Sequence, residues 1–218
     1  MGEYPARVFP GSALYMVLTE FPEPIATPVP AALVTRRLVL RPPREADLDT
    51  LLALYADPAV SRFCAAATPQ GLAATEAQLR TWMAHWQARG FGHWAIAERE
   101  RPDALIGFGG LMHRSVAGHS GLYLYYRIAP QAWGRGLASE MSMQAFAQAF
   151  EQHGEAAVVA AVLPNNAPTR KTLDCLGLRL KGTLADGPGS AAALLYELTA
   201  ERWNSLPRGE PEAIAFAA

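Results

Sequence analysis

The chain has little that would mark it for nucleic acid, membrane or metal. Its 19 Lys and Arg face 20 Asp and Glu, for a formal net charge of −1, so it lacks the basic surplus with which proteins grip a phosphate backbone. It has two cysteines, Cys64 and Cys175, without CxxC spacing; both are expected to be reduced, buried thiols rather than a disulfide or a nucleophile. The longest apolar run beside an expected strand, Ala156–Leu163, has eight residues, against the roughly 20 that a spanning helix needs. The start carries Glu3 and is broken by Pro5 and Pro10, unlike a secretion signal. The five histidines show no ligand spacing such as HExxH, so no metal site is expected. The expectation is a cytoplasmic globular protein with no nucleic-acid or membrane partner.

What is present is a patterned segment between two irregular ends. Residues 1–33 hold Pro5, Pro10, Pro22, Pro24, Pro28 and Pro30, and a residue without an amide donor disfavours helix and central strand. This segment reads as a poorly ordered or surface-draped arm, or one used in a dimer contact, and Met16 is an alternative start. A single domain is expected over 34–204, with a tail over 205–218. Within it the periodicities predict a first strand where Leu38 and Leu40 alternate with Arg37 and Arg41, and strands at 93–97, 105–112, 122–129, 156–163, 178–184 and 192–198. They predict helices at 48–55, 72–89, 134–153 and 169–176. Trp82 and Trp86 fall at helical spacing and read as core; with Trp94 they are also candidate walls of an acceptor cleft. His85 and His153, on helices, read as solvated. The order implies mixed α/β architecture with helices on both faces of a sheet.

One stretch carries chemistry. Gly134, Gly136 and the small Ala138 sit between the end of one strand and the start of a helix. Glycines let a backbone approach a ligand. The first turn of a helix leaves amides without partners and adds partial positive charge, which together suit a diphosphate. Arg135 can add charge. The pattern is not GxGxxG, because Ser139 occupies the third position, and it has no GKS or GKT. The local pattern alone leaves two readings, a phosphate site or a tight turn.

The run Trp133-Gly-Arg-Gly-Leu-Ala138 resembles the acyl-CoA loop of the GNAT N-acetyltransferases, and Trp133 in place of Gln or Arg resembles the RimJ/RimL-like branch. The resemblance extends over about residues 34 to 204. It includes Leu38-Val-Leu-Arg-Pro42 with Glu45-Ala-Asp47, Leu105-Ile-Gly-Phe-Gly-Gly110, Asn165-Asn-Ala-Pro-Thr-Arg170 with Leu176-Gly177, and Tyr196-Glu-Leu-Thr199 with Trp203. It implies a GNAT fold: a mixed, mostly antiparallel sheet with one splayed parallel pair and helices on both faces. The strand before the loop would carry a bulge and open a cleft for pantetheine.

By the same resemblance, acetyl-CoA is the co-substrate. Backbone groups of Ile128 and Ala129 would hold the pantetheine arm. Amides of Trp133, Gly134, Arg135, Gly136, Leu137, Ala138 and Ser139 would hold the diphosphate. Asn165 would contact the cofactor from the other side, and Arg170 would steady the following helix or reach CoA. The acceptor would be a small-molecule or peptide amine, and the assembly a monomer or homodimer.

An aliphatic amine, with a pKa of about 10.4, must lose a proton before it attacks a thioester. The family's Glu, Ser and Tyr positions hold Tyr123, Pro168 and Leu173 here. His113 and Tyr123 are the catalytic candidates, with Tyr125, Glu98 and Glu197 as substitutes. Loss of those three family residues also supports a second reading, an acyl-CoA-binding module that acts as a sensor or scaffold. A nucleotide-binding protein that uses the Gly134 loop is the third.

Overall fold

A computed structural model describes residues 32–63, 71–184, 192–207 and 215–217. The Pro-rich arm up to residue 31 and Cys64 lie outside the described residues.

The chain enters through β1 (Ala32–Val34) and β2 (Leu38–Arg41). Leu38 and Leu40 alternate with Val39 and Arg41, so one face is fully buried. Arg41 donates through Nη1 and Nη2 to Asp47 at 2.8 and 2.6 Å, and Asp47 also accepts the Arg44 amide. That knot turns the chain into α1 (Leu48–Ala56), whose Leu51, Leu54 and Tyr55 are buried. Asp57 ends α1, and its side chain accepts the Ala59 amide to start α2 (Pro58–Ser61). In α3 (Gly71–Arg89) the stripe Leu79, Trp82, His85 and Trp86 faces inward. Gly90, at φ 72°, closes α3 in the left-handed conformation.

β3 (His93–Glu98) is buried at every position, as a strand covered on both faces must be. β4 (Arg101–Val116) and β5 (His119–Ile128) form a long hairpin around Ala117 and Gly118, at φ 48° and 76°. Then follow α4 (Leu137–Ala147), a π turn over Gln148–Gln152, β6 (Ala157–Val162), α5 (Ala167–Cys175), β7 (Arg179–Leu184), β8 (Ala193–Thr199), α6 (Ala200–Ser205) and β9 (Ala215–Ala217).

The described strands make one sheet in the order β7-β8-β6-β5-β4-β3-β2-β1-β9. Every pair is antiparallel except β5–β6. One core lies beneath α4, α5 and α6, around Leu111, Leu124, Met141, Phe146 and Trp203. A second lies beneath α1 and α3, around Tyr55, Trp82, Phe108 and Met112, and a third, smaller one gathers Val116, Tyr123, Val159, Leu184 and Leu195. The mixed α/β architecture expected from the sequence is therefore present, helices on both faces included.

The boundaries differ where glycine or a cap overrides periodicity. α4 starts at Leu137 rather than Gly134, because Gly134 and Gly136 take φ of 72° and 73°, outside the helical region. α5 starts at Ala167 because Asn166 caps it by accepting the Thr169 amide at 3.2 Å. Cys175, expected to be buried, is exposed. His85, expected to be solvated, is buried, with Nδ1 2.8 Å from the Phe91 carbonyl. His153 is exposed as expected. Trp82, Trp86 and Trp94 are all core residues.

Candidate active site

The site is built where β5 leaves β6. Their parallel pairing consists of Leu122↔Val158 and Tyr123↔Val159, yet β5 continues to Ile128 and β6 to Val162. On its other edge β5 pairs with β4 without a break from His119 to Ile128. The expected splay is thus present, while the expected bulge in β5 is not. The register shifts fall instead between β3 and β4, at Ile96–Glu98, and between β7 and β8, at Leu180–Gly182. The Ala129 amide donates to the Ile106 carbonyl at 2.7 Å, which fixes the phase of the ladder. Odd-numbered residues of β5 direct their backbone groups at β4, and Leu124, Tyr126 and Ile128 direct theirs at the splay.

Beyond β5 the chain makes one 3₁₀ turn, Pro130–Ala132, and passes through Trp133 into two left-handed glycines. A Cβ on Gly134 would meet no atom within 4 Å, and one on Gly136 would meet only Arg37 Nη2, at 3.6 Å. These glycines are required by backbone conformation, not by crowding. Left-handed glycines on either side of Arg135 make a concave nest of amides. The N–H groups of Gly134, Arg135, Gly136, Leu137, Ala138 and Ser139 donate to no acceptor among the described residues; the first loop-to-helix bond is Glu140 N–H to Gly136 O, at 3.1 Å. Trp133 differs from the expectation. Its amide is already given to the Pro130 carbonyl at 3.1 Å, and its indole N–H donates to the Ile128 carbonyl at 2.6 Å.

Two ion pairs fasten this loop to the turns beside β2 and β3. Arg135 donates through Nη1 and Nη2 to Glu98, at 2.9 and 2.5 Å. Glu140, in the first turn of α4, accepts from Arg37 Nε at 2.6 Å, from the Arg37 amide at 2.7 Å and from the Thr35 hydroxyl at 2.6 Å. Arg37 Nη1 reaches the Arg135 carbonyl at 2.7 Å. The Arg135 guanidinium holds the Glu98 carboxyl below its usual range. Burial opposes ionisation of Glu140, but the bonds from Thr35 and Arg37 outweigh it and its pKa is lowered too. Sequence reasoning missed Thr35, Arg37 and Glu140. Thr35 and Arg37 lie about a hundred positions from the loop, and no local pattern joins them to it.

The catalytic candidates do not come together. On the β4–β5 ladder Met112 is opposite Tyr123, and His113 is opposite Leu122, so the two side chains stand on opposite faces. His113 lies on the α4 side, with Nε2 3.0 Å from Glu155. Tyr123 packs with Val116, Val159, Leu184 and Leu195. Its hydroxyl meets His119 Nδ1 at 2.9 Å and the His119 carbonyl at 3.1 Å, and burial raises its pKa. Glu98 is held by Arg135, and Glu197 is paired with Lys181. Tyr125 shares a face with Tyr123 but lies past the last β5–β6 pair. Its hydroxyl is 3.4 Å from that of Tyr55, and its ring stacks on His93 with centroids 4.9 Å apart. Asn165 is exposed at the start of the β6–α5 turn. Arg170 donates to the Pro164 carbonyl at 3.0 Å and so ties α5 to that turn. Leu173 is core, and Pro168 lies in the first turn of α5. Among the described residues no cluster of His, Cys, Asp and Glu could hold a metal.

The glycine nest beside a splayed parallel pair agrees with the sequence comparison, in which the Acetyltransferase (GNAT) domain family matches residues 37–179. The chain belongs to the GNAT acetyltransferase family. A relative from Bacillus subtilis (strain 168), the uncharacterized N-acetyltransferase YoaA, is 25% identical over 154 residues, 70% of this chain and 85% of that one. Among solved structures, an acetyltransferase from Agrobacterium tumefaciens str. C58 superposes with a TM-score of 0.67 at 26% identity, covering 81% of this chain and 98% of that one. A putative GnaT-family acetyltransferase from Bordetella pertussis gives 0.64 at 25%, covering 76% and 98%. Within this GNAT chain the matched span takes in Arg37, Glu98, the nest and Arg170, so the loop and both of its anchoring pairs belong to the family domain.

Proposed function

We propose that the protein transfers an acetyl group from acetyl-CoA to a primary amine, which is a protein N-terminus, an amino acid or a small amine, in the manner of the RimJ/RimL-like branch. One observation carries the reading: six successive amides at the N-terminus of α4, Gly134 to Ser139, have no acceptor among the described residues. Such a nest at a helix dipole suits a diphosphate. A Cβ on Gly134 would meet no described atom within 4 Å, so the loop is open on that side.

Acetyl-CoA supplies an acyl group already activated as a thioester. The chain supplies the rest. The nest neutralises the diphosphate, and the Leu124 backbone and the Ile128 amide, on the edge of β5 turned to the splay, face the arm. The two ion pairs at Glu98 and Glu140 hold the nest in shape before ligand arrives, so little ordering entropy is spent on binding. Tyr125 stands on the open stretch of β5 with the Tyr55 hydroxyl beside it. It is the phenol best placed to exchange a proton with the reacting groups, and Tyr123 is occupied by His119.

The absence of the family's Glu, Ser and Tyr, at Tyr123, Pro168 and Leu173, supports a second reading: a GNAT module that binds acyl-CoA without turnover. Thermal stabilisation by acetyl-CoA, with none by ATP or NAD, tests the binding half. Release of free thiol across a panel of amines and N-terminal peptides tests the transfer half. Stabilisation without thiol release on any acceptor would favour the sensor reading.

A further inference from the structure

The charge beside the nest is expected from the sequence to come from Arg135. The structure assigns that guanidinium to Glu98 through two hydrogen bonds and leaves a different cation at the nest. We propose that Arg37 is a diphosphate-binding residue, whose Nη2 donates to the anion held by the Gly134–Ser139 amides. This rests on the acetyl-CoA reading above.

Four observations carry it. Arg37 Nη2 is 3.6 Å from the position a Cβ would take on Gly136, the glycine that begins α4. Its other donors are spoken for: Nε goes to Glu140, and Nη1 to the Arg135 carbonyl inside the nest itself. Those two bonds, with the Glu140 bond to the Arg37 amide, fix the plane of the guanidinium, so Nη2 is aimed by the fold. The side chain remains 39% exposed, so an anion can reach it from solvent. A planar guanidinium fixed on two edges and open on the third suits an anion already held by amides. The Glu140 carboxylate offsets part of the charge, but its bonds to Thr35 and Arg37 are the ones that hold the arginine in place.

A structural clamp is the competing role, and binding of truncated ligands separates the two. Calorimetry with CoA, dephospho-CoA and S-acetylpantetheine on wild type, Arg37→Gln, Arg37→Lys and Glu140→Gln is the experiment. Dephospho-CoA keeps the diphosphate, and S-acetylpantetheine lacks it. Arg37→Gln should weaken CoA and dephospho-CoA alike by about tenfold or more, as loss of a charge-assisted hydrogen bond implies, and leave S-acetylpantetheine unchanged. Arg37→Lys should recover part of the affinity, and Arg37→Gln should flatten the salt dependence of CoA binding. Glu140→Gln, which keeps the cation, should weaken binding less than Arg37→Gln at an equal or greater loss of melting temperature. Equal losses for Glu140→Gln and Arg37→Gln, with no recovery in Arg37→Lys, would overturn the proposal in favour of the clamp. A loss confined to CoA would move the contact to the 3′-phosphate and overturn it as well. If wild type binds none of the three ligands, the acetyl-CoA reading fails first; if Arg37→Gln binds CoA like wild type, only the arginine assignment fails.

Discussion

Arg135 and Glu98 form a two-pronged pair, Nη1 to Oε1 and Nη2 to Oε2, that fastens the glycine loop to the end of β3. The charged side chain within the nest sequence is thereby an anchor for the backbone.

Removing that anchor should loosen the nest without unfolding the sheet. Glu98→Gln is expected to weaken acetyl-CoA binding several-fold while S-acetylpantetheine binding holds. Titration calorimetry checks this, and equal affinity for acetyl-CoA in the variant would show that the pair does not shape the nest.

Gly136 and Gly107 fail differently when substituted. A Cβ at Gly136 meets only a flexible arginine tip, so Gly136→Ala should cost about 1–2 kcal/mol from its φ of 73° alone. Gly136→Glu adds a negative charge beside the diphosphate and should abolish CoA binding in a folded protein. At Gly107 a Cβ would lie 2.1 Å from the Arg127 carbonyl. Gly107→Ala must therefore push β4 off β5, and its cost should exceed that of Gly136→Ala by several-fold in urea melts.

Stability should fall on acidification in two stages. His85 is buried and its pKa is lowered to about 4 from 6.5, chiefly by desolvation. The unfolded chain therefore takes up the proton first, and this contribution is complete above pH 6.5 and lost as pH falls toward 4. The span is worth on the order of 3 kcal/mol. His85→Gln keeps a donor for the Phe91 carbonyl and should reduce the slope between pH 7 and 5. His93 and His153 shift in the same direction by desolvation, so the slope is reduced and not abolished. Below that window Glu98 and Glu140 act. Their folded pKa values lie under the usual 4.5, so their contribution is present above that pH and lost as pH drops through the lowered values. Melting temperatures from pH 3 to 7, with Glu98→Gln/Glu140→Gln for comparison, resolve the second stage.

Tyr125 and Tyr123 share a face but differ in company. Tyr125→Phe is expected to lower kcat at least tenfold. Tyr123→Phe removes a hydroxyl bonded to His119 and should cost about 1 kcal/mol of stability, with the smaller effect on kcat. Steady-state kinetics and melts of the two variants decide the matter, and the reverse ranking of kcat would return the proton transfer to Tyr123.

Much of this architecture was legible because periodicity and punctuation agree. Leu38 and Leu40 alternate, the α3 stripe recurs at helical spacing, and the continuous apolar run of β6 signals a strand covered on both faces. The glycine loop was legible as a motif, though not its geometry: two left-handed glycines delay α4 to Leu137, which a helical pattern starting at Gly134 hides. What composition and spacing could not supply was long-range pairing. Arg37 with Glu140, and Glu98 with Arg135, are joined by tertiary folding. Likewise, strand alternation alone did not separate His113 from Tyr123, since ten positions of spacing and an intervening hairpin set their faces. His85 was misplaced because a helical histidine reads as polar until the Phe91 carbonyl is found beside it.

The two register pairs between β5 and β6 give the sheet a seam. Strands β7, β8 and β6 lie on one side of it, and β5, β4, β3, β2, β1 and β9 on the other, stitched at Leu122 and Tyr123 only at the end far from the glycine loop. An extended arm lodged in the open part would supply the cross-links that the polypeptide omits. The acetyl-CoA proposed above would lie there as a further strand, bridging two halves that the protein itself joins by two residue pairs.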